Sequence, residues 1–251
     1  MKSNFSHISI DSVSKQYSPN LPFSLDKINL QIQSNTKFGI LGPNGAGKTT
    51  LISILTGLIE PTSGKVNYVL NNGDSIHGID LKASIGFVPQ DFAFYPELTP
   101  LQNLHYFGAL SGLSKLEIKV RSEYTLEVLG LTSVAKKKAH TFSGGMKRRL
   151  NLAIGIIHEP AILFLDEPTV GVDVQSKFAI IQLLEKLNKE HTTIIYTSHH
   201  LSEAQDFCTD IAMIDQGTII CTNQTSKLLE EYHSKNLEEL FIKLTGQALR
   251  D

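Results

Sequence analysis

The stretch ILGPNGAGKTTLI, residues 40–52, constrains this chain more than any other part of it. Apolar residues give way to a loop holding Gly42, Gly45 and Gly47, then to Lys48, Thr49 and Thr50, and apolar residues resume. The loop fits the pattern GxxxxGK[ST] at Gly42, Gly47, Lys48 and Thr49. Glycines let the backbone turn its N–H groups into an anion-binding nest, phosphate oxygens approach without Cβ interference, and the following helix presents its positive dipole end. On this reading Lys48 is a point charge for the β- and γ-phosphates, Thr49 is a hydroxyl for Mg²⁺, and the loop is bare because the ligand fills it. The alternative is a glycine-rich turn that matches by accident. Context favours the phosphate reading: KFGIL (37–41) precedes the loop as a strand, and Leu51, Ile54, Leu55 and Leu58 follow at helical spacing until Gly57 and Pro61 break the pattern.

Around this unit the chain alternates elements of different period. Ile8 and Ile10, then Ile28, Leu30 and Ile32, then Val66, Tyr68 and Leu70 alternate as half-buried antiparallel strands, separated by the turn-rich YSPNLP and PTSGK. Residues from about 92 to 158 are helical in pattern, with Leu126, Val128 and Leu129 and later Leu150, Ala153, Ile154 and Ile157, and predict an inserted helical lobe. AILFLDEP and TTIIYTSH are compact apolar strands bracketing an amphipathic helix at 176–190, a βαβ pattern that predicts a parallel sheet with a right-handed crossover. A hairpin, IAMI-DQG-TII, leads to a C-terminal helical segment at about 224–251 with Leu237, Leu240, Phe241 and Leu244 on one face. The core is therefore expected to be α/β, with residues 1–251 forming a single domain of two lobes.

Composition narrows the partners. With 41% hydrophobic and 19% charged residues among 251, the chain can bury a core. A net charge of -2 argues against nucleic acid as a partner. Cys208 and Cys221 have no metal-ligand spacing, and Met1-Lys2-Ser3 leads into polar residues rather than a signal-peptide core, which fits a reducing cytoplasm. No apolar run approaches the roughly 18 residues that span a bilayer, so work at a membrane requires a partner to supply the span.

Other residues carry chemistry in context. ILFLDEP (162–168) is a buried strand ending in two adjacent carboxylates: Asp166 could hold Mg²⁺ directly or through water, and Glu167 would face an attacking water, although such residues also cap the next element. HTFSGGMKRRLNLAIGI (140–156) places Ser143, Gly144 and Gly145 at a helix start, either a second anion-binding N-terminus or an ordinary capped helix. Lys147-Arg148-Arg149 and Lys136-Lys137-Lys138 read as solvated faces. Gln90, after IGFVP, could reach metal or water, His199 at a strand end could contact the γ-phosphate, and Tyr17 could stack on a base; alone, each has a structural explanation.

Read together and in order, GPNGAGKTT, Gln90, FSGGM, ILFLDEP, VGVD and TSH resemble the ATP-binding subunit of an ABC transporter over nearly the whole chain. The resemblance implies a P-loop NTPase core with a mixed sheet, an antiparallel β subdomain and an inserted α-helical lobe. It implies that Gly42, Pro43, Asn44, Gly45, Ala46, Gly47, Lys48, Thr49 and Thr50 form the Walker A loop and that Tyr17 lies against adenine. Asp166 becomes the Walker B acid, Glu167 the catalytic base, Gln90 the Q-loop residue, Asp173 the D-loop residue, His199 the switch histidine, and Ser143, Gly144 and Gly145 the signature. Phe142 and Met146 depart from the usual LSGGQ, and Met cannot hydrogen-bond as Gln does.

The function implied is Mg²⁺-dependent ATP hydrolysis that powers a separate membrane-spanning permease. Two cassettes would dimerise head to tail, each ATP lying between the phosphate loop of one and the signature of the other, at the cytoplasmic face of the cell membrane. PQDFAFYPELTPLQNLHYFGALSGL and NLEELFIKLTG resemble the exporter branch for drugs, small molecules or lipids. The rival is a soluble relative acting on DNA or ribosomes, but the long coiled coil or second cassette of those relatives is absent from this sequence. A regulator that switches without turnover is disfavoured by the intact Asp166, Glu167 and His199.

Overall fold

A computed structural model of the chain describes residues 5–246. The Met1-Lys2-Ser3 start and residues 247–251 of the C-terminal segment lie outside the described residues. The first layer is an antiparallel sheet of β1 (Phe5–Lys15), β2 (Leu25–Gln33), β4 (Ser63–Leu70) and the short β5 (Ser75–Ile76), in the order β2-β1-β4-β5. In β2, LDKINLQIQ, buried Leu25, Ile28, Leu30 and Ile32 lie among exposed polar residues, so the sheet hides one face and wets the other.

The second layer is a mixed sheet. Its strands are β3 (Lys37–Leu41), β6 (Ile85–Val88), β7 (Ile162–Asp166), β8 (Thr193–Ser198), β9 (Asp210–Asp215) and β10 (Thr218–Gln224), ordered β10-β9-β3-β8-β7-β6. Only β10 runs antiparallel to its neighbour; β9, β3, β8, β7 and β6 pair parallel. Every residue of β7 and β8 is buried, as expected where both faces are covered.

Side chains alternate between two cores. Phe38, Ile40, Phe164, Ile195, Ala212 and Ile214 join the antiparallel sheet and α1 (Lys48–Leu55) in one cluster. Leu41, Leu163, Leu165, Ile194, Tyr196 and Met213 face the other, with the remaining large helices. The sequence expectation of an α/β core with an antiparallel subdomain is met, whereas Leu58 is exposed beyond the end of α1 rather than on its buried face.

After α2 (Gly78–Ser84) and β6, the helical segment contains α3 (Pro100–Leu110), α4 (Lys115–Val128) and α5 (Gly144–Ile156). Reciprocal capping boxes, Thr99 with Gln102 and Ser114 with Glu117, explain where α3 and α4 begin. The apolar interior of this segment is continuous with the sheet: Leu104, Leu126 and Leu150 share one cluster with Leu163 and Tyr196. The contact is close because a Cβ on Gly86 would lie 2.3 Å from the carbonyl oxygen of Gly155. The chain closes with α6 (Val174–Lys189), α7 (Leu201–Phe207), α8 (Thr225–Glu231) and α9 (Leu237–Thr245). Among the described residues no helix is long and apolar enough to cross a membrane.

Candidate functional site

Parallel pairing brings four strand ends to one edge of the mixed sheet. Leu41 pairs with Ser198, Asp166 with Thr197, and Val88 with Leu165, so Gly42, Glu167, His199 and Gln90 all follow the carboxyl ends of neighbouring strands. Open α/β sheets place ligands at this edge. A cleft of about 400 Å³ lies there, lined by residues that include Asn44, Gly45, Lys48, Thr49, Gln90 and Glu167, together with Gly47, Thr50 and Ser24.

The loop is bare for two distinct reasons. A Cβ on Gly42 would stand 2.0 Å from the carbonyl oxygen of Ile214, and one on Gly47 would stand 2.6 Å from that of Ser24. Those glycines therefore let the loop lie on the protein's own backbone. Gly45 differs, with open space around it and a φ of 78°. The expectation that the ligand alone explains the missing side chains is corrected at Gly42 and Gly47. Ala46 is buried, and its carbonyl accepts a hydrogen bond from Gly217 N at 3.0 Å.

Lys48 opens α1 and is buried. Its ammonium donates to the carbonyls of Gly42 at 2.8 Å and Pro43 at 3.0 Å and lies 3.6 Å from Glu167 Oε1. Burial pulls this group below the ordinary lysine range, while Glu167 and Asp166 oppose the shift. Glu167 Oε1 also lies 3.0 Å from His199 Nδ1, so one carboxylate oxygen joins the loop lysine to the strand-end imidazole. Glu167 has a φ of 49°, a left-handed conformation that a non-glycine residue adopts only when its surroundings hold it. Part of that hold is Thr197, whose Oγ1 accepts from Glu167 N at 3.0 Å and donates to Asp166 Oδ1 at 2.6 Å.

The residues proposed for Mg²⁺ fit an ion that keeps phosphate and water ligands. Thr49 and Gln90 line the cleft, Asp166 is buried beside it in sequence, and no cluster of three or more His, Cys, Asp or Glu among the described residues could cage a metal.

Tyr17 is 59% exposed, with its hydroxyl 3.4 Å from Oγ1 of Thr50, which lines the cleft. Ser143, Gly144, Gly145 and Asp173 do not line the cleft; they meet one another elsewhere. Ser143 caps α5 by accepting from Met146 N at 3.3 Å, and Asp173 caps α6 by accepting from Ser176 N at 2.9 Å. A Cβ on Gly145 would lie 2.5 Å from Asp173 Oδ2, so the two helix starts are in contact. Met146 packs on the core, which replaces the polar contact expected of Gln.

Four groups escaped the sequence reading. Arg148 is no solvated cation: it is buried, and its Nη1 donates to the carbonyls of Gln90 at 2.7 Å and Pro89 at 3.3 Å. Asn151 Nδ2 donates to Pro89 O at 3.0 Å, and its Oδ1 accepts from Ala93 N at 2.9 Å. Arg149 also turns inward, donating to Leu129 O at 2.7 Å, whereas Lys136, Lys137 and Lys138 are exposed as expected. Helical spacing held the clue, since Arg148 is three residues after the buried Gly145 and four before Leu152. Thr197 carried no such clue, because its contact with Asp166 exists only through strand pairing.

A glycine loop opening a helix, an acid at the end of the next strand but one in the sheet and a cleft at the carboxyl edge define a P-loop nucleoside triphosphatase. The family described as ABC transporter matches residues 25–170. A linearmycin resistance ATP-binding protein of Bacillus subtilis (strain 168) is 40% identical over 224 residues, 88% of this chain and 71% of that protein. A daunorubicin resistance ATP-binding protein of Streptomyces coeruleorubidus is 34% identical over 225 residues, 89% of this chain and 70% of that protein. A solved ATP-binding cassette, a dimer in a post-hydrolysis state bound to ADP and Pi, superposes with a TM-score of 0.77 at 27% identity, covering 86% of this chain and 98% of that one. The chain belongs to the ABC transporter family, as an ATP-binding ATPase component.

Proposed function

We propose that this chain hydrolyses Mg²⁺-ATP as one half of a head-to-tail homodimer and drives a separate permease that exports a drug, small molecule or lipid. The observation that carries this reading is the shared oxygen of Glu167, 3.6 Å from Lys48 and 3.0 Å from His199. A carboxylate so held faces the cleft and can polarise water for in-line attack on a γ-phosphate, while Lys48 balances charge and His199 fixes the carboxylate. Thr49, Gln90 and Asp166 would hold Mg²⁺, which supplies charge neutralisation on the phosphates.

Pro43, Asn44, Gly45, Ala46 and Thr50 would complete the phosphate nest, with Tyr17 against adenine. Ser143, Gly144, Gly145 and Asp173, which do not line the cleft of their own chain, suit the ATP of a second copy.

The export reading is supported by the two resistance relatives. An aromatic cluster in the segment after Gln90 suits a permease: Tyr95, Tyr106 and Phe107 pack together, with Tyr95 and Tyr106 centroids 5.0 Å apart, and Phe92, Tyr95, Tyr106 and Leu110 of this segment are exposed. On this reading the chain is one domain with a helical lobe at about 92–158, peripheral on the cytoplasmic membrane face, with no role for nucleic acid. The test is phosphate release with and without Mg²⁺, together with co-purification of a multi-span protein from membranes. Glu167→Gln is expected to bind ATP, accumulate as a dimer and nearly cease turnover; full hydrolysis by that variant removes Glu167 from the chemistry.

A further inference from the structure

One carboxylate away from the cleft gathers the chain segments around it. Glu203, in α7, has a side chain only 9% exposed. Its Oε1 accepts from Thr169 Oγ1 at 2.6 Å and from the Tyr196 hydroxyl, and its Oε2 pairs with Lys177 Nζ. Burial alone would push this carboxyl up, but the Lys177 ammonium and the Thr169 and Tyr196 hydroxyls together hold it below the usual carboxylate range.

The partners come from three places. Thr169 follows Glu167 by two residues, and Tyr196 precedes His199 by three. Lys177 lies one helical turn beyond Asp173, and its N–H donates to Asp173 O at 2.9 Å. Apolar packing also holds α7 on the sheet, where the Tyr196 and Phe207 ring centroids are 5.3 Å apart. Packing tolerates sliding, whereas three directional hydrogen bonds to one carboxylate fix a single register.

The geometry points to Glu203 as a positioning residue of the ATPase site, holding the turn after Glu167, the strand leading to His199 and the helix capped by Asp173 in one register. This rests on the roles given above to Glu167, His199 and Asp173. Glu203 touches no reacting atom; its effect passes through Thr169, Tyr196 and Lys177.

The test is steady-state ATP hydrolysis by the full chain. Glu203→Gln keeps the shape but loses the charge facing Lys177, and kcat is expected to fall about tenfold or more while KM for ATP stays within about twofold. Lys177 is 42% exposed, so Lys177→Gln is expected to fold, which a thermal melt checks; it is expected to lower kcat in the same way, and Lys177→Arg to restore it. A general loosening would move KM with kcat and would not distinguish Arg from Gln.

Unchanged kcat in both Glu203→Gln and Lys177→Gln overturns the assignment, as does a KM that rises in proportion, or Lys177→Arg no better than Lys177→Gln. Glu167→Gln, run in parallel, separates the two readings. If it hydrolyses ATP at the normal rate, the site assignment fails and the positioning role falls with it. If it is inactive while the Glu203 and Lys177 variants are normal, only the positioning role falls.

Discussion

Arg148, one turn into the helix capped by Ser143, donates to the main-chain carbonyl of Gln90 at 2.7 Å. The two residues are 58 positions apart, and the contact ties α5 to a segment whose Gln90 lines the cleft. The guanidinium also lies 5.1 Å from the ring centroid of the exposed Phe92. Arg148 therefore joins α5 to both the Gln90 main chain and the Phe92 ring.

Arg148→Met is the direct test of this tie. Charge-assisted hydrogen bonds contribute about 1.5–3 kcal/mol each, partly offset here because a buried guanidinium no longer needs desolvating. Stability measured by urea unfolding is expected to fall by about 1–3 kcal/mol. Nucleotide affinity is expected to hold while turnover drops about tenfold, since a displaced Gln90 affects geometry more than binding.

Lys48→Ala removes the charge at the centre of the loop. ATP affinity, measured calorimetrically with Mg²⁺ present, is expected to fall by roughly tenfold to a hundredfold, the equivalent of losing about 1.5–3 kcal/mol of charged hydrogen bonding. Equal affinity in the variant would place the triphosphate elsewhere.

The glycines of the loop are expected to respond unequally. Gly42→Ala drives a Cβ to within 2.0 Å of Ile214 O and must part the loop from β9. Thermal melts should show a loss of about 1–3 kcal/mol, the usual cost of overpacking. Gly45→Ala meets nothing within 4 Å and bears only the strain of its φ of 78°. Its stability loss is expected near the lower figure of about 1 kcal/mol.

The thiols give a pH test. Burial pushes Cys221 up to about 11 from 9.0, and burial raises Cys208 as well. A folded-state value above the unfolded one means that the stabilisation is fully present below the unfolded value and is lost as pH climbs through the folded one. Melting temperature is expected to decline between 9.0 and about 11 on this account. A thiol reagent at about pH 8 should leave the native protein unlabelled and react with both cysteines in urea; rapid labelling of the native chain would show that the pockets open.

The sequence by itself determined the local elements and the chemistry within them. A glycine loop between KFGIL and a periodic helix is legible because a strand, a nest and a dipole lie consecutively along the chain. Alternation set the faces of β1 and β2, whereas in β4 only Tyr68 is buried and Val66 and Leu70 are half-buried like Asn67 and Val69; unbroken apolar runs marked β7 and β8 as buried on both sides. Local pattern also announced that Ser143 would cap a helix. Tertiary structure decided what those elements do to one another. The bond from Thr197 to Asp166 follows from a parallel register across 31 residues, and Arg148 changes from surface cation to buried clamp only because α5 lies against the Gln90 segment. The cause is physical: periodicity fixes which face of an element is apolar, whereas hydrogen bonds between distant polar groups depend on which elements pack together and in what register.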